Sequence, residues 1–257
     1  MSAGGPMRVL RPVADLLARP GGPLVSQALF GELADILERR EGLLLVRLRA
    51  DGYQGLMEEP ALAPAAPDRG GALTPAFPQT LVFPEPDIKA APARPLYMGA
   101  RLHAAGEEGP FIRLREGGHV IGAHLRPFGH VAADAAAIAE MFLHAPYLWG
   151  GRTWAGVDCS GLVQMALTQA GHSGIPRDSG DQAAAVGTPL PLDAARQGGL
   201  RRGDLVFWKG HVAMMLDEGR IIHANGHHMR VVIEPLAAAM ARIAASGGGA
   251  ITALRRP

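Results

Sequence analysis

Apolar residues recur at helical spacing in one stretch of the second half of the chain and at strand spacing in its neighbours. In residues 159–170 they are Leu162, Val163, Ala166, Leu167 and Ala170, the i, i+3, i+4, i+7 positions of one helix face. Gly171 then predicts the end of the helix. Residues 211–216, 220–224 and 229–234 predict strands, and residues 132–144 and 236–245 predict further helices. We therefore predict an α+β domain with helices on a small antiparallel sheet.

The first half of the chain contains an internal repeat. Gly31 corresponds to Gly99, Glu41-Gly42 to Glu108-Gly109, and Leu62-Ala63-Pro64 to Leu125-Arg126-Pro127, at an offset of about 63 to 68 residues, which indicates a duplicated domain. Each copy has short β-type runs between Gly and Pro turns. Residues 60–67, rich in Pro and Ala, predict a linker. The predicted domains are residues 1–66, 67–128 and 129–257.

The single cysteine, Cys159, lies at the start of the predicted helix, just after the glycine turn Gly150-Gly151. A lone cysteine is most often a small buried residue without chemistry. At a helix start, however, exposed N–H groups and the positive end of the helix dipole favour a thiolate. Cys159 is therefore a candidate nucleophile.

Two histidines downstream are candidates for the base that such a cysteine needs within hydrogen-bond reach. His211 opens one predicted strand and His223 closes the next. A two-residue loop between the strands would put the histidines on opposite sheet faces. A three-residue loop, Asp217 to Gly219, puts both on one face, roughly 7 Å apart by backbone position. Because glycine at the third loop position suits a left-handed residue, we predict the three-residue loop.

Four blocks of sequence carry a resemblance to a known family. They are Pro146-Tyr147-Leu148-Trp149-Gly150-Gly151, Asp158-Cys159-Ser160-Gly161-Leu162-Val163, Arg202-Gly203-Asp204-Leu205-Val206-Phe207, and the pair His211 and His223. In order and spacing they resemble the NlpC/P60 family of papain-like cysteine peptidases. The resemblance implies Cys159 as nucleophile, His211 as general base and His223 as the residue that orients His211. It implies a thiolate–imidazolium pair of Cys159 and His211.

The resemblance also implies a substrate and its contacts. Tyr147 is implied to lie close to the nucleophile, Asp158 and Ser160 to line the substrate cleft, and Arg177, Asp178 and Ser179 to contact the substrate. Members of the family cut peptidoglycan stem peptides, often at the amide between γ-D-glutamate and the diamino acid, so we expect that reaction without a metal or cofactor. Whether the diamino acid is meso-diaminopimelate or lysine stays open.

The two repeats resemble bacterial SH3-type barrels, with Asp51-Gly52-Tyr53-Gln54-Gly55 as the signature of the first copy. The second copy departs from the signature, with Gly117-Gly118-His119-Val120. Paired barrels resemble the murein-recycling type of enzyme, which acts on muropeptides with a free N-terminal L-alanine. A carboxylate facing the cleft would pair with that ammonium, and Glu58, Glu59 and Tyr53 are the candidates. The alternative for these glutamates is a solvated loop, since Glu is mostly exposed.

Two other functions stay open as alternatives, and a zinc site is a third, weaker interpretation of the histidines. His223, His227 and His228 could hold zinc, but structural zinc usually takes four ligands, often cysteines, and Asn225-Gly226 instead predicts a hairpin tip. An acyl- or amidotransferase on the same scaffold would share the thioester and differ in the acceptor. A non-enzymatic wall-binding protein would use the barrels as ligand modules, and the intact set of Cys159, His211 and His223 argues against it.

Composition excludes several classes of protein. A net charge of +1 without a basic run gives nucleic-acid binding no electrostatic support. No apolar run reaches the length of about 18 residues that a membrane span needs, and Met1 to Pro12 lacks the regions of a secretory signal. One cysteine in 257 residues forbids intrachain disulfides. We expect a cytoplasmic monomer, or an extracellular protein whose leader has been removed.

Overall fold

The computed structural model describes residues 5–67 and 70–257 and divides the chain into two compact units, Met1–His130 and Val131–Pro257. The predicted domain ranges 1–66 and 67–128 both fall within the first unit. Residues 1–4 and 68–69 of those ranges lie outside the described residues.

Seven short strands form the first barrel of the N-terminal unit. They are β1 (Met7–Val9), β2 (Val13–Leu17), β3 (Leu24–Leu29), β4 (Leu33–Arg40), β5 (Leu43–Leu48), β6 (Gln54–Glu58) and β7 (Leu62–Pro64). Their order in the sheet is β3-β2-β6-β5-β4-β1-β7. In β5, Leu44, Val46 and Leu48 alternate with more exposed residues and are buried in the core, which is the period of two that a half-buried strand requires.

The second barrel repeats the first, element by element. Its strands are β8 (Ala72–Pro75), β9 (Gln79–Val82), β10 (Arg94–Tyr97), β11 (Leu102–Glu108), β12 (Phe111–Leu114), β13 (His119–Ile121) and β14 (Leu125–Pro127). In each copy the first strand pairs with the fourth and the last. A 3-10 helix, Glu59–Ala61 or Gly122–His124, precedes each closing strand. The two copies share this order of elements, although the strands of the second copy are divided between a two-stranded and a five-stranded sheet.

The Pro- and Ala-rich stretch is only partly a linker. Ala61 and Leu62 are buried in the first core, and Leu62–Pro64 forms β7, which pairs with β1. The linker prediction is therefore wrong for residues 60–64. Composition misleads here because proline is tolerated in the first turn of a helix and on an edge strand as well as in a linker.

The C-terminal unit packs helices on an antiparallel sheet, so the α+β class is confirmed. Its helices are α1 (Ala135–Glu140), α2 (Cys159–Gln169), α3 (Ser179–Ala185), α4 (Ala194–Gln197) and α5 (Leu236–Ala245). Its strands are β15 (Arg152–Thr153), β16 (Gly156–Val157), β17 (Thr188–Pro189), β18 (Leu205–Trp208), β19 (His211–Met215), β20 (Arg220–Asn225), β21 (Arg230–Pro235) and β22 (Ala253–Arg256). The main sheet has the order β17-β22-β18-β19-β20-β21.

Three helix predictions meet different outcomes. The predicted limits of α5 are confirmed, and α2 ends as predicted before Gly171, whose φ is +88°. Apart from Thr168, the residues of α2 are buried, so this helix is enclosed rather than half-exposed. The prediction for residues 132–144 is too long: Asp134 caps α1 and the chain beyond Glu140 continues in tighter turns.

The hairpin between β19 and β20 has the predicted three-residue loop. Met215 pairs with Ile221, and the N–H of Leu216 donates to the carbonyl of Arg220 at 2.8 Å, which leaves Asp217 to Gly219 as the loop. The reason we gave was wrong, because Gly219 does not have a positive φ. Instead, Oδ1 of Asp217 accepts from the N–H groups of Gly219 and Arg220 at 2.9 and 2.8 Å, so an aspartate side chain shapes the turn.

Candidate active site

Cys159 is the first residue of α2 and is buried. Asp158 caps the helix: its Oδ1 accepts from the N–H of Gly161 at 2.7 Å, and its Oδ2 accepts from the N–H of Gly150 at 2.8 Å. A Cβ on Gly161 would lie 2.4 Å from the carbonyl oxygen of Gly151. Glycine at position 161 therefore lets the glycine turn approach the helix start closely, and the position of Cys159 is fixed by both.

A buried ion pair supports this helix start. The Arg177 guanidinium donates to the two carboxylate oxygens of Asp158 at 2.9 and 2.6 Å and to Oγ of Ser160 at 2.9 Å. Only 1% of the Arg177 side chain is exposed. The polar groups of Asp158, Ser160 and Arg177 bond to one another inside the domain, and their expected contact with substrate stays a prediction. They hold the nucleophile's helix in place.

The two histidines lie on one face of the sheet and touch. Nε2 of His211 is 2.8 Å from Nδ1 of His223. Nε2 of His223 is in turn 2.7 Å from Oε1 of Glu234, and Glu234 also accepts from the guanidinium of Arg242. The result is a hydrogen-bonded chain across β19, β20 and β21, anchored by an arginine of α5.

The hydrogen bonds from Glu234 through His223 to His211 determine which nitrogen of His211 is free to accept a proton. A carboxylate only accepts, so Nε2 of His223 carries the hydrogen that reaches Glu234. In the neutral imidazole the other nitrogen, Nδ1, is then an acceptor, and it takes the hydrogen from Nε2 of His211. This leaves Nδ1 of His211 unprotonated, as a general base requires.

Burial makes the uncharged forms of Cys159 and His211 the favoured ones. It raises the pKa of the Cys159 thiol to about 11, and the negative charge of Asp158 adds to the rise. Burial also lowers the pKa of His211 to about 3, and the positive charge of Arg242 adds to the fall. Burial therefore opposes the charged forms of both groups, and the expected thiolate–imidazolium pair stays a prediction.

The Cys159 sulfur lies against the strand that carries His211. The Val212 N–H hydrogen-bonds to the Cys159 side chain, which places the sulfur against the start of β19, one residue from His211. The Tyr147 phenol is near enough to Cys159 and Asp158 that their negative charges contribute, after burial, to raising its pKa to about 12. The tyrosine therefore keeps its hydrogen and can donate it to a bound group.

Comparison with known proteins identifies the domain that carries this site. Residues 144–244, which span Cys159, His211, His223 and Glu234, match the NlpC/P60 family. The chain carries an NlpC/P60 domain. Residues 16–62, in the first barrel, match the bacterial dipeptidyl-peptidase SH3 domain.

Curated relatives resemble the chain over part of their length. It is 40% identical over 101 residues to gamma-D-glutamyl-L-lysine dipeptidyl-peptidase of Bacillus subtilis, a match that covers 36% of this chain and 32% of that protein. The protein of the same name from Bacillus cereus is 36% identical over 113 residues, which cover 41% of this chain and 32% of that protein. The match thus spans about a third of each relative.

A solved structure is similar over the whole chain. The crystal structure of an NlpC/P60 family protein from Bacillus cereus matches with a TM-score of 0.79 at 22% identity, covering 98% of this chain and 99% of that one. At this identity the likeness concerns the fold, and it includes both barrels as well as the NlpC/P60 domain.

The remaining predicted contact residues lie at the surface of their own units. Asp178 precedes α3 and is exposed, and Ser179 is half-buried. In the first barrel Tyr53 is half-buried, Glu58 pairs with Arg11 at 2.7 Å, and Glu59 pairs with Arg39 at 2.5 Å. Both glutamates are exposed, and each already forms an ion pair with an arginine.

The alternative of a zinc site meets a geometric obstacle. Both ring nitrogens of His223 are engaged in hydrogen bonds, to His211 and to Glu234. Within residues 5–67 and 70–257, no group of three or more His, Cys, Asp or Glu side chains is arranged to hold a metal ion.

Among the helices in these described residues, every one is too short or too polar to cross a membrane.

Glu234 is the site residue that our sequence analysis missed. It lies on β21, where Val232 pairs with His223, so Glu234 is two residues from that partner and on the same face. The sequence contained a signal for this residue. The third predicted strand ends at Glu234, an acidic residue two positions from the partner of His223 and therefore on the same face of the sheet.

We predict that Arg177→Met lowers the free energy of unfolding by roughly 3–5 kcal/mol, because removing one partner of a buried ion pair leaves Asp158 uncompensated. Urea unfolding followed by circular dichroism measures the change. Arg202→Met is the matched control: Arg202 pairs with Asp134 at 2.7 Å, but both side chains are more than a third exposed, so a loss of at most about 1 kcal/mol is expected. Equal losses in the two variants would contradict the role of Arg177.

Proposed function

We propose that the chain is a cysteine peptidase that hydrolyses the amide between γ-D-glutamate and the diamino acid of peptidoglycan stem peptides. The observation that carries the proposal is the hydrogen-bonded chain from His211 through His223 to Glu234. It leaves Nδ1 of His211 unprotonated on β19, the strand whose Val212 N–H bonds to the Cys159 side chain. The NlpC/P60 match and the names of the relatives supply the substrate class.

The chemistry uses one proton in two directions. As the Cys159 sulfur attacks the amide carbonyl, its proton passes to Nδ1 of His211, and the carbonyl oxygen becomes an oxyanion. The backbone N–H of Cys159, in the first turn of α2 where N–H groups lack intrahelical partners, stabilises that charge. His211 returns the proton to the leaving amine. Water then attacks the thioester with His211 again as base, releasing the acid and restoring the thiol.

The lowered pKa of His211 is compatible with these reaction steps. A base held neutral by burial is available at once, while a strongly basic one would stay protonated near neutral pH. Substrate that excludes water strengthens the attraction between the forming thiolate and imidazolium. The charged pair in this mechanism therefore forms during attack, not before it.

The substrate end of the proposal is a free amino terminus, as in a muropeptide returned from the wall for recycling. Glu58 and Glu59, with Tyr53 beside them in the barrel sequence, are the groups we assign to the ammonium of L-alanine. Their present partners, Arg11 and Arg39, form exposed pairs of the kind worth at most about 1 kcal/mol. An ammonium can therefore compete for these carboxylates.

Defined peptides test the function directly. The full chain is incubated with L-Ala-γ-D-Glu followed by lysine or by meso-diaminopimelate, each with a free and with an acetylated amine, and products are weighed by mass spectrometry. We expect a free dipeptide acid and the released diamino acid, and loss of cleavage on acetylation. Transfer to an added amine in place of the acid would indicate a transferase, and no cleavage of any peptide would refute the proposal.

Glu234→Gln should lower kcat by about tenfold without a comparable change in KM. Glu234 opposes the lowering of the His211 pKa, so its neutralisation makes the base weaker, and a neutral amide holds His223 less strongly than a carboxylate does. Steady-state kinetics on the dipeptidyl substrate measures the split between kcat and KM. The control is Glu218→Gln at the exposed hairpin loop, which should match the wild type; an equally slow control would contradict the assignment.

The pH profile of kcat/KM should stay flat from about pH 5 to pH 8. A general base is inactive when protonated, so activity falls as pH drops through the pKa of the free enzyme's base. With the pKa of His211 lowered from 6.5 to about 3, the acid fall lies below pH 5. A fall centred near pH 6.5 would show an exposed, ordinary histidine as the base.

A further inference from the structure

The N-terminal unit contains a cavity of about 550 Å3 lined by both barrels. The first barrel contributes Arg8 and Phe30, and the second contributes Arg94, Arg101, Arg115 and Glu116. The volume lies in the range of roughly 300 to 1,000 Å3 that small-molecule sites occupy. The proposed peptidase chemistry uses none of these residues.

Two of the arginines that line this cavity, Arg94 and Arg115, have no carboxylate partner among the described residues. Among the described residues that line it there are four arginines and one carboxylate, Glu116. That carboxylate is already engaged: Oε1 of Glu116 is 2.5 Å from the Arg8 guanidinium and 2.7 Å from Nδ1 of His103. Despite its burial, these contacts lower the pKa of Glu116, so it stays charged and compensates Arg8 alone.

The guanidinium groups of Arg94 and Arg115 bond to backbone carbonyls and not to carboxylates. The Arg94 guanidinium donates to the backbone carbonyls of Glu116 and Gly117 at 3.5 and 3.3 Å, and Arg115 donates to the carbonyl of Ala104 at 3.0 Å. In the described part of the chain, neither has a carboxylate within ion-pair distance. Carbonyl groups satisfy hydrogen bonds without neutralising charge, so a positive field remains at the cavity.

Two donors beside the cavity are also unused. The Nε–H groups of Arg8 and Arg94 are buried and have no hydrogen-bond partner in the described residues. Both guanidinium groups lie over the ring of Phe30, at 5.3 and 5.5 Å from its centroid. The ring holds the two planar groups in place, and guanidinium groups fixed in this way suit bidentate recognition of carboxylate or phosphate.

We propose that this cavity is a binding site for a small multivalent oxyanion, with Arg94 and Arg115 supplying the uncompensated charge. The shared chemistry is a cluster of carboxylate or phosphate oxygens on a molecule small enough for the cavity. The site is distinct from the cysteine centre and does not depend on the proposed peptidase activity. It gives the paired barrels a ligand of their own.

The test is a ¹H–¹⁵N NMR titration of the full wild-type chain with citrate and, separately, with inorganic diphosphate, against sodium chloride at equal ionic strength. We expect saturable shifts of the Arg94 Nε–H and of the backbone amides at 115–117, absent with chloride. The comparison of the two anions shows whether carboxylate or phosphate is preferred. Absence of saturable binding by both, or shifts confined to other regions, would overturn the proposal without requiring any variant.

Variants then test the residues. The double change Arg94→Gln and Arg115→Gln should raise the Kd of the preferred anion at least tenfold. Arg113→Gln is the matched control, because Arg113 lies in the same barrel and pairs with Glu108 at 2.9 Å but does not line the cavity. Equal affinity in the double variant and the control would overturn the assignment. Peptide hydrolysis, assayed separately, reports on the peptidase proposal alone.

Discussion

Replacing Cys159 with alanine is expected to reduce peptide hydrolysis by at least about 10⁴-fold, because the thioester cannot form without the sulfur. No other residue can take its place, since the chain has one cysteine. Turnover of the stem peptide, followed by mass spectrometry over long incubations, measures the loss. The result is decisive because the change removes the reacting atom and leaves His211, His223 and Glu234 in place.

The same variant should remain folded. The side chain is buried at the first residue of α2, and removal of one buried atom of this size costs about 1 kcal/mol. Urea unfolding checks this, and the capping bonds of Asp158 should keep α2 intact. Hydrolysis at near wild-type rate by a folded Cys159→Ala protein would eliminate the proposed mechanism.

Replacing His223 with alanine is expected to lower kcat by roughly 10²-fold or more. Its loss removes the acceptor that holds the hydrogen on Nε2 of His211, so the imidazole can turn or place its hydrogen on Nδ1, where it cannot act as base. KM should change much less, since His223 is buried behind His211 and does not face the substrate. Steady-state kinetics separates the two effects.

Glutamine at position 223 provides the matched variant. Its amide has one acceptor oxygen and a donor NH2 group, so it can accept from His211 and donate to Glu234 as the imidazole does. We expect His223→Gln to retain kcat within about tenfold of the wild type, whereas His227→Ala, at the exposed hairpin tip, should have no effect. If glutamine were no better than alanine, a tautomer-fixing role for His223 would be excluded.

Local rules predicted the parts of the site that depend on one element or one turn. Gly171 correctly predicted the end of α2. The length of the loop Asp217 to Gly219 was also predicted correctly, although the Asp217 side chain and not a left-handed Gly219 shapes it. That loop length placed His211 and His223 on one face, and in the structure Nε2 of His211 lies 2.8 Å from Nδ1 of His223. Side chains alternate strictly along a strand, so a correct loop length fixes the register of the two strands and the face on which each histidine lies.

Contacts between distant segments were not predictable in the same way. The Arg177 guanidinium turns inward to Asp158, nineteen positions away, although charged side chains are almost never fully buried unless paired. The helix start was expected to favour a thiolate, whereas burial and the negative charge of Asp158 raise the pKa of the Cys159 thiol. Both outcomes depend on how tightly α2 is enclosed, which the sequence around Cys159 does not reveal.

The pairing of β19, β20 and β21 has a consequence for how this domain can change over time. The relay from Glu234 to His211 crosses two strand pairs, so it depends on alignment rather than on any one side chain. Point substitutions of residues on the opposite face of these strands leave the hydrogen bonds between His211, His223 and Glu234 in place. A single inserted or deleted residue in Asp217 to Gly219 would turn one ring to the opposite side of the sheet and silence the enzyme, so we expect hairpin length to be far less tolerant of change than hairpin composition.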